Sequence, residues 1–146
     1  MFKNPFRRPT ELIDFPNQVL VLAKPDAVHN GQVGMIITMF EFHGFWIRDT
    51  RELQMTRAFC AKHYCDHIDK PFYKSLVEFM ISGLTIAFRM ECTRQHDGMM
   101  IEKARDRVHR IRESRQCVGP QNLLHASDSL DAARRELNLW FPNSRN

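Results

Sequence analysis

Residues 18–43, QVLVLAKPDAVHNGQVGMIITMFEFH, contain two hydrophobic periods in succession, and reading them decides the fold class. The first six residues, QVLVLA, are aliphatic on consecutive positions rather than alternate ones, as a strand buried on both faces requires. The strand stops at KPDA. From Gly34 to His43 a helical period takes over: Val33, Ile36, Ile37 and Phe40 fall at i, i+3, i+4 and i+7, with Met35, Met39 and Phe42 as a second stripe beside them. One stripe suffices for a helix lying on a sheet. The second predicts a deep core position or contact with another subunit.

The same reading extends along the chain. FWIRDTRELQM alternates as a half-buried strand does, and Thr56 opens TRAFCAKHYCDH as a helix cap would. PFYKSLVEFMIS starts a helix at Pro71, with Phe72, Leu76, Phe79 and Met80 along one side. LTIAFRMEC is a third strand. After Gly98 a helix carries Ile101, Ala104, Val108 and Ile111 on its apolar stripe, with Lys103, Arg107 and Arg110 largely off it. The strand NLLHA and a last helix, with Leu130, Ala133, Leu137 and Trp140 inward, complete the order β-α-β-α-α-β-α-β-α. This predicts an α+β fold: a ferredoxin-like, four-stranded antiparallel sheet covered by helices. A small doubly wound parallel sheet also fits the pattern.

A chain of 146 residues suits one domain with a real core. We divide it into an N-terminal arm (1–17), rich in proline and basic residues, a domain (18–142) and a short tail (143–146). The formal charge of +4 mildly favours anionic partners but lacks the density of a dedicated nucleic-acid binder, so nucleic acid is not an expected partner. Four cysteines without CxxC spacing, and no signal peptide, predict reduced thiols and a cytoplasmic setting. No apolar run reaches the ~18–20 residues of a membrane-spanning helix.

Four clusters carry potential chemistry: LAKPDAV, HYCDHIDKPFY, the arginine-bearing helix and NLLHASDS. Taken singly, each has an ordinary explanation in a hydrogen-bonded histidine or a solvated charge. Cys60, His63 and His67 have helical spacing that could converge on zinc, but a fourth ligand at a motif-like spacing is absent. Serine beside histidine in HASDS lacks the GxSxG context of a hydrolase.

Taken together, LAKPDAV, GQVGMIITMFEFHGF, HYCDHIDKPFYKSLVEFM, the SG before a strand and NLLHASDSLDAARRELNLWF resemble the nucleoside diphosphate kinase family from about Gln18 to Pro142. Most specific is asparagine-x-x-histidine-small-serine-aspartate-serine, present from Asn122 to Ser129. The resemblance implies that His125 takes the γ-phosphate of a nucleoside triphosphate as phosphohistidine and passes it, ping-pong, to a nucleoside diphosphate. A neutral imidazole, with an unperturbed pKa of about 6.5, has the lone pair for this near neutral pH. The resemblance further implies that Glu136 orients the ring and that Ser127 lies nearby. Lys24 and Arg112 would contact phosphate, with Tyr64 near the histidine. Phe72 would stack on the base with Leu76 as its apolar companion, and Asn122 would contact the ribose. Mg²⁺ is the implied cofactor, held mainly by the nucleotide's phosphates rather than by protein ligands. A homo-oligomer built on a dimer is the implied assembly.

Between Gly98 and Asn122 the sequence departs from the family. The usual arginine aligns with Met99 or Met100, and the loop is shorter. Lys103, Arg105 or Arg107 are candidates for the missing cation; Arg105 shares a helix face with Arg112, seven residues on. Besides an active kinase, two readings follow: a catalytically weak nucleotide-binding relative with a regulatory or interaction role, and a basic interaction module.

Overall fold

In the computed structural model, which describes residues 15–92, 99–117 and 119–144, β1 (Gln18–Ala23) is buried at every position. Alternate side chains leave a strand on opposite faces. Val19, Val21 and Ala23 accordingly join one core, and Leu20 and Leu22 a second. α1 (Pro25–His29) follows directly. Its proline sits where a missing N–H costs nothing; five residues are too few to show a period, and no helix was expected there. α2 (Val33–Glu41) and β2 (Phe45–Gln54) come next.

α3 (Arg57–His63) is capped by Thr56, whose hydroxyl accepts the N–H of Phe59 at 3.1 Å. The helix expected through HYCDH instead breaks at Tyr64 into a 3₁₀ turn, Cys65–His67. α4 (Tyr73–Met80) begins two residues after Pro71. β3 (Leu84–Cys92), α5 (Met100–Ser114), β4 (Leu124–Ala126) and α6 (Leu130–Trp140) complete the order. Most of the arm expected over 1–17 lies outside the described residues, as do Gly98 and the last two residues of the tail.

The strand order is β2-β3-β1-β4, and every neighbouring pair is antiparallel. That is the ferredoxin-like arrangement and it removes the doubly wound parallel alternative. β1 and β2 run parallel with β3 between them, a split crossover. α2 and α5 cover one face of the sheet, through Ile36, Phe40, Ala104, Val108 and Ile111. α3, α4 and the end of α6 cover the other, through Cys60, Leu76, Val77, Met80 and Trp140.

Two expectations about faces change. Met35 and Met39 are half-buried against their own core, so the exposed part of the second stripe reduces to Phe42, 84% exposed at the end of α2. Leu130, expected inward, is 64% exposed because the first turn of α6 precedes its contact with the sheet. The buried residues of α6 are Ala133, Glu136, Leu137 and Trp140. No helix of the described residues is long and apolar enough to cross a membrane.

Candidate active site

β4 is three residues long, yet its register aims the site. His125 pairs with Leu22, and strand alternation sends both side chains to the face shared with α3 and α6. Just before it, Leu123 holds φ +71°, a left-handed conformation that is costly for a residue with a branched side chain. Two bonds maintain it: Leu123 N–H donates to Asp26 Oδ2 at 3.0 Å, and its carbonyl accepts the Lys24 N–H at 2.9 Å. Asn122 is thereby brought over the end of β1. Its Oδ1 accepts from Lys24 Nζ at 2.7 Å and Arg112 Nη2 at 3.2 Å. Arg112, from the last turn of α5, also donates to the Leu124 carbonyl at 2.6 Å and, through Nε, to that of Asn122 at 3.3 Å.

α6 brings the carboxylate. The Ser129 hydroxyl accepts the Ala132 N–H at 3.0 Å and starts the helix. Two turns on, Glu136 is 2% exposed and faces the sheet. Its Oε2 and Oε1 lie 2.8 and 3.0 Å from His125 Nε2. A carboxylate can only accept here, so Nε2 carries the proton and Nδ1 the lone pair. Ser127 connects this pair to β1: its hydroxyl accepts the Leu20 N–H at 3.0 Å and donates to Glu136 Oε2 at 3.4 Å.

These groups open into a cavity of about 440 Å³. Lys24, Arg112, Asn122 and His125 provide its polar lining, and Tyr64, His67, Phe72 and Leu76 its aromatic and apolar side. Gly119 and Pro120 line it from the loop before β4, where Gly119 has φ +68°. Tyr64 stacks on His67 (centroids 6.0 Å, planes 23° apart), and Phe72 meets His67 edge-on at 5.5 Å. Phe72 is half-exposed at 50%.

Burial, with Arg112 beside it, lowers the Lys24 ammonium to about 7. Burial lowers the Arg112 guanidinium as well, and pushes the Tyr64 phenol above its usual range. Tyr64 therefore remains an O–H donor, and its buried hydroxyl has no hydrogen-bond partner among the described residues. A desolvated guanidinium, a buried lysine that an anion would charge and an unpaired hydroxyl donor make a cavity suited to a multiply charged anion.

Of the residues singled out in the sequence, His125, Glu136, Ser127, Lys24, Tyr64, Phe72, Leu76, Arg112 and Asn122 come together here. Arg105 does not: it is exposed and does not line the cavity. It shares a helix face with Arg112 but lies about 10.5 Å away along the axis, because a helix rises 1.5 Å per residue. Lys103 and Arg107 line a separate hollow of about 330 Å³ with His43, Met99, Glu102 and Asp106, and Arg107 bonds His43 and Asp106. Among the described residues, Lys24 and Arg112 are the cations of the main cavity.

The zinc trio does not form either. Cys60 is packed in the core, its thiol pushed up by burial, while His63 instead meets His125 and Glu136. His63, His67 and Asp26 were missed as parts of the site. For the two histidines the sequence signals were their place in HYCDH beside Tyr64 and a spacing that suggested zinc with Cys60 rather than contact with His125.

Comparison with known proteins agrees with this geometry. The family model described as Nucleoside diphosphate kinase matches residues 17–145. A nucleoside diphosphate kinase of Exiguobacterium sibiricum is 37% identical over 129 residues, covering 85% of this chain and 94% of that protein. Nucleoside diphosphate kinase 1 of Oryza sativa subsp. japonica is 33% identical over 135 residues, covering 86% and 87%. The crystal structure of a nucleoside diphosphate kinase family protein from Babesia bovis superposes with a TM-score of 0.75 at 31% identity, covering 86% of this chain and 88% of that one. The chain therefore belongs to the nucleoside diphosphate kinase family, and nucleoside diphosphate kinase is its enzyme class.

Proposed function

We propose that the protein transfers the γ-phosphate of a nucleoside triphosphate to a nucleoside diphosphate in two steps through phosphohistidine at His125. The observation that carries this is the His125 Nε2–Glu136 contact at 2.8 Å, in a cavity where Lys24, Arg112 and Asn122 converge. In the first step the Nδ1 lone pair forms a bond to the γ-phosphorus. The bond from phosphorus to the bridging oxygen breaks, and its electron pair leaves with the diphosphate. Positive charge developing on the ring is balanced through Nε2–H by Glu136. In the second step an acceptor's terminal phosphate oxygen attacks the same phosphorus, and the N–P electron pair returns to Nδ1.

Lys24, Arg112 and the Tyr64 hydroxyl would hold the phosphates, and Asn122 the ribose. Phe72 and Leu76 would sandwich the base by stacking and apolar contact, which discriminates little among bases. Among the described residues lining the cavity there is no carboxylate. This fits Mg²⁺ carried on the nucleotide's phosphates, where it would spread the negative charge of the transferring group. A cytoplasmic setting is supported by four free cysteines. Placement of Arg105 outside the cavity favours weaker nucleotide binding than a second arginine would give, without removing any group from the transfer itself.

The test is incubation with γ-labelled ATP. Acid-labile label should appear on the wild type, be absent from His125→Ala, and be discharged by added nucleoside diphosphate. A wild type that takes up no label would falsify this reading.

A further inference from the structure

We propose that His63 is a positioning residue for this reaction: a neutral imidazole whose Nε2–H is aimed at the His125–Glu136 pair and holds the nucleophile's ring while Nδ1 attacks. The inference rests on the phosphohistidine reading above.

His63 ends α3 and is 3% exposed. The Trp140 indole nitrogen lies 3.0 Å from its Nδ1. An indole N–H can only donate, so Nδ1 must offer a lone pair and the ring's proton sits on Nε2. Burial holds His63 well below the usual histidine range, and His125, Arg135, Lys24 and His67 press in the same direction. From α6, Arg135 Nη1 also donates to the His63 carbonyl at 3.1 Å and fixes the end of α3.

Nε2 of His63 is buried without a nitrogen or oxygen partner among the described residues. A buried donor left unpaired is costly, so what it faces matters. The His63 and His125 ring centroids are 4.9 Å apart with the planes at 75°. One ring nitrogen from each and a Glu136 oxygen lie within 4.8 Å of one another. Two imidazoles and a carboxylate are also a zinc donor set. Here, however, Nδ1 of His63 is occupied by Trp140 and Nε2 carries the hydrogen, so His63 has no lone pair to give a metal. The trio is instead a donor, a carboxylate and a nucleophile. An N–H dipole directed at the pair stabilises the carboxylate that must balance the ring charge, and the crossed rings restrict rotation of His125. The proton of His63 stays on Nε2 throughout.

Two variants separate this role from packing. His63→Phe keeps an aromatic ring without the N–H; His63→Gln supplies a neutral N–H at similar reach. In His63→Phe, verified as folded by circular dichroism and thermal unfolding, phosphorylation of His125 by ATP should slow about 10-fold or more while nucleotide dissociation constants stay within about twofold. His63→Gln should recover to within about threefold of the wild type. A wild-type rate in His63→Phe overturns the proposal, as does a His63→Gln as slow as His63→Phe. Micromolar Zn²⁺ inhibiting the wild type but not His63→Phe would also overturn it, showing a metal site. If His63→Phe does not fold, Trp140→Phe, checked for folding in the same way because the ring is also part of the core, removes the tautomer lock, and an unslowed rate there counts against the proposal. Absence of label on the wild type is a different result: it sinks the phosphohistidine reading and this one with it.

Discussion

Lys24 is the group whose protonation should respond most to substrate. Burial beside Arg112 holds its ammonium at about 7, so near pH 7.5 a large fraction is neutral in the empty cavity. A phosphate placed against it favours the charged form. Nucleotide binding at pH 7.5 should therefore take up protons, measured as a dependence of the calorimetric enthalpy on buffer ionisation enthalpy. Lys24→Met should abolish the effect. The same shift has a stability sign. With the folded value near 7 and the unfolded one near 10.4, the unfolded chain binds more protons between them, so this residue's contribution to stability rises with pH across that window and is flat below it. At Glu136, substitution by alanine removes the carboxylate that contacts the His125 ring but leaves His125, the proposed nucleophile, in place. The expected loss in kcat is on the order of 10²-fold, against near-complete loss for His125→Ala. Stopped-flow phosphorylation of the two variants measures the difference, and equal losses would make Glu136 part of the reacting group itself.

At the scale of the element, α5 and α6 divide the work. α5 carries five buried residues, Met100, Ile101, Ala104, Val108 and Ile111, and delivers Arg112 from its last turn. Sequence alone suggested Arg105 as a replacement phosphate contact. Its exposure and absence from the cavity now predict otherwise: Arg105→Ala should leave the nucleotide KM unchanged. Arg112→Ala should lower kcat and raise KM, since one guanidinium holds Asn122 and the Leu124 carbonyl as well as lining the cavity. A raised KM in Arg105→Ala would mean that α5 moves when nucleotide binds. For α6 the leverage is at its start. Ser129→Ala removes the cap and should cost about 1 kcal/mol, roughly 2–4 °C in the melting temperature of a chain this size. Because the cap lies two turns before Glu136, kcat should fall in the same variant.

At the scale of the whole molecule, we expect a partner copy against the surface that the described residues leave uncovered beside β2. β2 is an edge of the sheet, and Trp46 on it is 45% exposed, with Arg48 over its ring; Phe42 nearby in sequence is 84% exposed. An open edge beside large exposed apolar side chains is a surface that proteins normally cover. We expect light scattering at micromolar concentration to give at least a dimer, and Phe42→Asp to shift it toward monomer with the cavity residues untouched. A wild-type monomer would assign that surface to something other than self-association.

Local pattern by itself determined the elements with clear periods: the doubly buried β1, the stripes of α2 and α5, and the threonine that caps α3. The motif from Asn122 to Ser129 located the proposed nucleophile, because asparagine, histidine and serine lie within one short strand and its flanks. Strand pairing was beyond it, since period 2 and period 3.6 report which side of an element is buried but not which element lies next to it; the register of β1 with β3 and β4 settled antiparallel over parallel. The same limit hid His63. Its helix presents it 62 positions before His125, and only the packing of α3 against α6 brings the two rings to 4.9 Å and supplies the Trp140 N–H that fixes which nitrogen holds the proton. Arg105 shows the opposite limit: helical spacing gave its face, but how far along α5 the cavity reaches is set by the packing of other elements, and the side chain lies in solvent outside it.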